Sequence, residues 1–540
     1  MDNQVEILPG TSRLFESDAQ AASSHLKRHG NIVLSPQPTE SPNDPLNWSS
    51  PRKYLHAILL IFITGFTAAT ANDAGSAQDG MHEEYGISYA AMNTGAGVLF
   101  VGIGYWTFLI SPAAALYGRR VPYLMGITWG LIGALWFSHV KGTRDSVWNQ
   151  LFVGASESAA EANVQLSLSE ISFEHQRGSV IGIYVLATSV GTYLGPLIGG
   201  FVSDRLGWRW IAWLSVIVSS CLLLVLFFGL EETMFDRAAQ SGTMIQGLQH
   251  SVDPSSDNGK SGELKKTPSH TASDAPRGKD EKPKTYFQRI QFITPAPNLK
   301  GTGFKQYISR LFHTLRIFGF PAVIYSGIQW GAQDAWLTFY LTLEETSWYE
   351  EPWNYNDAQV GIMNVPCIIG AIIGCFWGGY MSDRFVFWIA KRRNGIREAE
   401  DRLWMMFPCA ICSPAGMLLF GIGTSYSWDW PVPYVGLGLI GFGWGCAGDL
   451  SMAYLMDAYP EMVLEGMVGV AVINNTIGCI FTFTASTWLD NSGVRDCFIA
   501  LSVLDFFFIM LTIPMMIYGK TCRRWTLTRY RNFVKIRDSI

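Results

Sequence analysis

Long apolar runs separated by short polar breaks occupy most of this chain. A helix rises about 1.5 Å per residue, so about 20 apolar residues cover the ~30 Å hydrocarbon layer of a bilayer. Twelve runs meet that description: 54–75, 92–114, 121–140, 147–171, 179–202, 210–230, 317–343, 358–380, 403–424, 433–456, 466–488 and 496–519. They predict an all-α membrane protein with twelve transmembrane helices. The longest break, 231–316, divides it into an amino-terminal six-helix half (54–230) and a carboxyl-terminal one (317–519). The centre of that break, Ser251 to Lys284, is rich in Ser, Lys, Pro and Gly and has no aromatic residue. Such a stretch cannot bury enough apolar surface to fold. The break is therefore read as a largely disordered cytosolic linker, 1–53 as a disordered tail and 520–540 as a basic tail. The tail 1–53 has no apolar run, so the first span is expected to serve as its own insertion signal.

Run 147–171 departs from the pattern. Glu157 and Glu161 stand near its middle, one turn apart and on one face. Each acid at bilayer depth costs about 2.5–3.5 kcal/mol on insertion scales, so a helix built only for anchorage would not carry two. This run is read as the wall of a wet cavity. Other intramembrane polar residues gather in a few runs: Asn72 and Asp73 end the first, Asp334 lies in the seventh, Asp449 and Asp457 in the tenth, and Asp505 in the twelfth. The second, third, fifth, eighth and ninth have no interior acid, and no Lys or Arg lies deep in any run. Carboxylates without a basic partner hold protons or await a cation. Glu157 and Glu161 are the expected proton or cation site, assisted by Asp334 and Asp449, with Gln329, Trp330, Trp336 and Tyr340 offering polar and cation–π faces. Asp73 and Asp457 read as interfacial caps, Asp505 as a structural hydrogen-bond partner, and Asn474 and Asn475 as helix glue.

Composition agrees with a membrane protein. Only 15% of the 540 residues are charged and 49% are hydrophobic, against about 25% charged in soluble domains. A net charge of -5 carries no nucleic-acid footprint. With both termini inside, 34 of the 39 Lys and Arg fall on the cytoplasmic side, as the positive-inside rule asks. The nine histidines are scattered, and neither a nucleophile elbow nor a phosphate loop occurs, so no enzyme, metal or cofactor is expected. The CAIC at Cys409–Cys412 reads as small buried residues.

Several motifs point to a family. GTYLGPLIGG (Gly191 to Gly200) matches an antiporter element, with Gly191, Gly195, Gly199 and Gly200 permitting close packing and Pro196 bending the axis. NDPLNWS (43–49), FEHQRG (173–178), GWRW (207–210), EETMFDR (231–237) and RRNGIREAEDRLW (392–404) accompany it. Over residues 43–530 the chain resembles the fungal branch of twelve-span drug:proton antiporters in the major facilitator superfamily, near the subfamily with polyamine and histidinol transporters. The resemblance implies that spans 1, 4, 7 and 10 line a central cavity between two halves. It also implies cytoplasmic gate motifs: Gly118, Arg119 and Arg120 in the first half, Gly379, Asp383 and Arg384 in the second. In the first half the family's first glycine, aspartate and arginine fall on Ser111, Ala115 and Leu116, which makes the gate lopsided. The arginine tied to proton coupling in related antiporters falls on Gln150. The leading expectation is a monomeric, proton-coupled exporter of small organic compounds at the plasma membrane. Proton-coupled uptake of polyamines or other organic cations is the alternative, and a nutrient sensor without flux a remoter one.

Overall fold

The computed structural model describes residues 8–13, 28–29, 32–34, 36–173, 176–236, 281–393 and 395–540. The centre of the linker, most of the amino-terminal tail, and Glu174, His175, Arg237 and Asn394 of the motifs above lie outside the described residues. A helix stands at each of the twelve runs. The first half contains α1 (Ser50–Asn72), α2 (Tyr89–Leu116), α3 (Arg120–Ser138), α4 (Thr143–Glu161, continued by Asn163–Ile171), α5 (Arg177–Leu206) and α6 (Arg209–Gly229). The second contains α7 (Pro321–Ser347), α8 (Asn364–Phe376, then a π turn Trp377–Met381), α9 (Phe407–Ser425) and α10 (Val432–Ala458). The run Val463–Met510 is two helices meeting at Gly493, whose φ of 73° suits a residue without a side chain. They are α11 (463–492) and α12 (494–510), which continues as Thr512–Ser539.

Among the described residues, eight helical stretches are long and apolar enough to cross a membrane unaided, or nine if α7 is joined to the helix bent 84° before it. One of the eight is the run that holds both α11 and α12. The helices that fall short alone are α4, α7 and α10. Each of the three carries a mid-span acid, as does α12 with Asp505; in α10 a series of glycines lowers the mean hydropathy further. Their polar faces need protein or water rather than lipid, and the fold supplies it.

Two seams join the halves, α2 on α11 and α5 on α8. Glycine makes close approach possible within a half as well. A Cβ on Gly191 would stand 2.1 Å from the Gly65 carbonyl oxygen of α1, and one on Gly195 2.3 Å from that of Ala69. Gly199 meets Ser76, and Gly200 crosses to the backbone of Asp357 in the second half. Since backbone cannot yield as a flexible side chain does, Gly191→Ala should destabilise the protein by about 1–3 kcal/mol. A thermal-unfolding series in detergent checks this, with Gly142→Ala, which meets nothing within 4 Å, expected to match the wild type.

Two stretches expected to be loose are folded where described, and the basic tail is ordered too. Residues 281–316 contain helices Tyr286–Arg289 and Phe304–Thr314, and the Thr294 and Ala296 amides donate to the α2 carbonyls of Tyr117 and Leu116, both at 2.9 Å. The basic tail continues α12 to Ser539 with Arg523, Thr526 and Phe533 buried. Thr11–Arg13 pairs as an antiparallel strand with Ile396–Glu398. All three stretches are held by backbone pairing and charge neutralisation, which hydropathy does not reveal.

Candidate functional site

Helical period decides which polar residues meet. On α7, Trp330, Asp334 and Leu337 share a face, at intervals of four and three, and that face lines a central cavity with an empty volume of about 570 Å³. Glu157 and Glu161 of α4 enter the same cavity, with Tyr184 from α5, Trp444 from α10 and Asn475 from α11. Asn474 donates to Glu161 at 3.1 Å and to Asp334 at 3.0 Å, bridging a carboxylate of each half. Asn475 donates to both Glu161 oxygens at 3.2 and 3.1 Å. The Trp444 indole donates to Asp334 at 3.2 Å, and its ring lies 4.3 Å from that of Trp330. The Glu157 carboxyl faces the cavity without a hydrogen-bond donor among the described residues. Sequence reading assigned Asn474 and Asn475 to glue and passed over Trp444 and Tyr184. A pair of amides at mid-span opposite an acid-bearing helix was the available signal.

Four expected site residues turn elsewhere. Gln329, Trp336 and Tyr340 lie on the neighbouring face of α7: Gln329 donates to the Phe508 carbonyl (2.5 Å), Trp336 to Asp505 (2.8 Å) and Tyr340 to Asn364 (3.0 Å). One residue along a helix rotates a side chain by about 100°, so adjacency to Trp330 did not bring Gln329 into the cavity. Asp505 is the structural acceptor expected of it, taking Gln333 as well at 2.8 Å. Asp449 is fully buried against Gly182, Gly378 and Gly379, away from the acids of the cavity.

A wider vestibule, with an empty volume of about 860 Å³, shares Asn72, Leu99, Phe100 and Leu337 with the central cavity and carries Gln150 and Thr338 on its walls. It opens at the end of the bundle away from both termini. At the terminal end, ion pairs of the second half brace the carboxylate that joins the halves. Buried Arg402 reaches Asp383 at 2.9 Å and Asp457 at 3.2 Å, and Arg397 pairs with Asp457 too. Asp457 is thus an internal anchor rather than an interfacial cap. Asp383 accepts from the Ser179 amide at 2.7 Å and hydroxyl at 2.9 Å, a carboxylate on the first turn of α5 that ties the second half to the first. Arg384 takes no part: it is exposed over the Tyr380 ring. In the first half the motif turns inward. Gly118 (φ 107°) leads to Arg119 and Arg120, whose amides donate to Glu232 at 3.0 and 3.3 Å. Arg119 pairs with Glu170 at 2.8 Å, and buried Arg120 donates to the Gln291 carbonyl. These contacts do not cross the halves, as the loss of the family aspartate at Ala115 implied.

Glu398 fastens the amino-terminal strand, accepting from Thr11 at 2.7 Å, Lys520 at 2.6 Å and Arg523 at 2.9 Å. Burial raises its pKa, but Lys520, Arg523 and Thr11 outweigh it and hold the carboxyl below the ordinary value. A lowered pKa contributes stability above the unfolded value and loses it as pH falls through the folded one. Proteolysis of the tail before Thr11 should therefore stay slow over roughly pH 5–8 and quicken only below the ordinary glutamate range. Glu398→Gln should quicken it throughout.

A family profile described as Major Facilitator Superfamily matches residues 57–483. An uncharacterized MFS-type transporter of Schizosaccharomyces pombe is 52% identical, covering 100% of this chain and 96% of the relative. Protein HOL1 of Saccharomyces cerevisiae is 49% identical, covering 99% and 98%. The solved structure of the proton:xylose symporter XylE bound to 6-bromo-6-deoxy-D-glucose superposes with a TM-score of 0.56 at 12% identity, covering 86% of this chain and 96% of that one. This last likeness is one of fold.

Proposed function

The chain belongs to the Major Facilitator Superfamily, as a multi-pass membrane transporter and not an enzyme, and we propose that it carries organic cations with two or more charges into the cell, coupled to protons. The observation that carries this reading is the meeting of Glu157, Glu161 and Asp334 with no Lys or Arg among the described residues of their cavity. Trp330, Trp444 and Tyr184 supply aromatic faces beside them, which suit the apolar stem and the charge of an aliphatic amine. Cargo replaces protons as the neutralising charge on these carboxylates. The vestibule loads from the end away from the termini, and the Arg402 latch closes the other. With both termini cytoplasmic, this is a plasma-membrane importer in its outward-facing state.

Energetics favour uptake for such cargo. Exporting a dication against about 100 mV costs ~4.6 kcal/mol, whereas one proton entering down that voltage and one pH unit yields ~3.7 kcal/mol. One-for-one antiport fails, while uptake gains from the same voltage. Export of a neutral compound is the second reading, favoured by the Gly191–Gly200 element in α5 and well within the reach of one proton. Energised cells producing the protein, given a labelled polyamine and, separately, a labelled hydrophobic drug, decide between them. Protein-dependent accumulation of the polyamine supports uptake. Drug depletion without polyamine accumulation overturns it.

A further inference from the structure

Asp449 has no role in the cavity, and no packing contact explains it. Both of its carboxyl oxygens are buried without a hydrogen-bond donor from the protein. The elements around it are bare: a Cβ on Gly182 of α5 would stand 2.8 Å from Oδ2, one on Gly379 2.9 Å, and one on Gly378 3.1 Å from its Cβ. Glycine at these positions leaves room for the carboxyl and offers it no side chain. Gly182 belongs to the first half and Gly378 and Gly379 to the second, so the acid sits in the α5–α8 seam. The two glycines of α8 lie in its π turn, an irregularity frequent at functional sites. The titratable or charged groups acting on Asp449 from the packed elements are Arg402 before α9, Asp383 after α8 and Cys375 in α8. An ionised carboxylate so enclosed and unpaired is prohibitive, whereas a neutral acid is tolerable.

Position along α10 gives the acid a task. Trp444 lines the cavity; Asp449 lies about 7.5 Å further along the axis, and Asp457 in the latch about 12 Å further again, at 1.5 Å per residue. Trp330, which lines the cavity, packs its ring on Gly448, the residue before the acid, where a Cβ would stand 2.0 Å from it.

We propose that Asp449 is the residence of the coupling proton, separate from the cargo carboxylates, held neutral while the α5–α8 seam is closed and discharged toward the terminal end when the seam parts. On opening, Gly182 leaves Gly379 and water enters. The Asp449 O–H bond breaks toward that water, which takes the proton, and Arg402, whose partner Asp383 has parted from Ser179, offsets the carboxylate that remains. Reloading is the reverse step. The proposal rests on the proton-coupled reading above, while its test separates the two.

Purified protein in liposomes is titrated with alkali while the infrared carbonyl stretch of protonated carboxylic acids is followed. This readout needs no cargo. Wild type is expected to lose a band that Asp449→Asn lacks and Asp449→Glu retains at a shifted position. A band loss identical in wild type and Asp449→Asn overturns the proposal. In the same liposomes Asp449→Asn should keep exchange of labelled spermidine across equal concentrations and lose accumulation driven by a pH gradient. Accumulation kept at the wild-type level also overturns it. No spermidine movement in wild type would count against the cargo reading, while the infrared result still decides for Asp449.

Discussion

Glu157→Gln should raise the half-saturating concentration of a transported polyamine about thirtyfold or more while leaving the fold intact. The side chain keeps its shape and loses the charge. Truncating one partner of a desolvated charge pair costs about 2–5 kcal/mol, and each 1.4 kcal/mol is tenfold. No described residue donates to Glu157, so the substitution strands no partner. Thermal stability should hold or rise, because a carboxyl with no donor is replaced by an amide of the same shape. Asp334→Asn should weaken uptake as much but also disturb Asn474 and the Trp444 indole, which donate to it. A labelled-polyamine uptake curve with a melting curve for each variant tests both. Unchanged half-saturation in Glu157→Gln would remove the carboxylate from cargo binding.

Arg402→Ala should open the terminal end. The guanidinium, 1% exposed, is shared by Asp383 and Asp457, and its removal leaves carboxylates buried with less compensation. Breaking a buried ion pair this way costs about 3–5 kcal/mol. Both pairs lie within the second half. The bonds that cross, from Ser179 of α5 to Asp383, exist only while the seam is closed and are worth about 1.5–3 kcal/mol each. An Asp383 no longer held in place therefore shifts the balance toward the open state by roughly tenfold or more. Hydrogen exchange at the start of α5 reads this directly, since the Ser179 amide is bonded to Asp383. Exchange there should accelerate in Arg402→Ala and stay unchanged in Arg384→Ala, whose side chain lies outside the latch. Equal protection in the two variants would rule the latch out.

Much of this was written in the order of residues. Apolar runs placed twelve helices to within a few residues, because the bilayer demands one length and one polarity. Acids confined to five of the runs, two of them mid-span in α4 and one in α7, marked these helices as cavity walls, since only a wet interior tolerates them. The Gly191–Gly200 element indicated a close helix approach without naming α1 as its partner, and Ala115 indicated a lopsided gate. Side-chain direction was another matter. Asp334 and Asp449 looked equivalent, as did Trp330 and Trp336; a helix face separates the latter pair, and seam packing isolates Asp449. Asn474 became the bridge between Glu161 and Asp334 only because α11 lies between the two halves. Sequence alone fixes what can enter lipid, through local hydropathy that needs no partner. Which carboxylates share a cavity, and which is sealed by glycines, depends on how two halves distant in sequence are pressed together, and only the tertiary structure decides that.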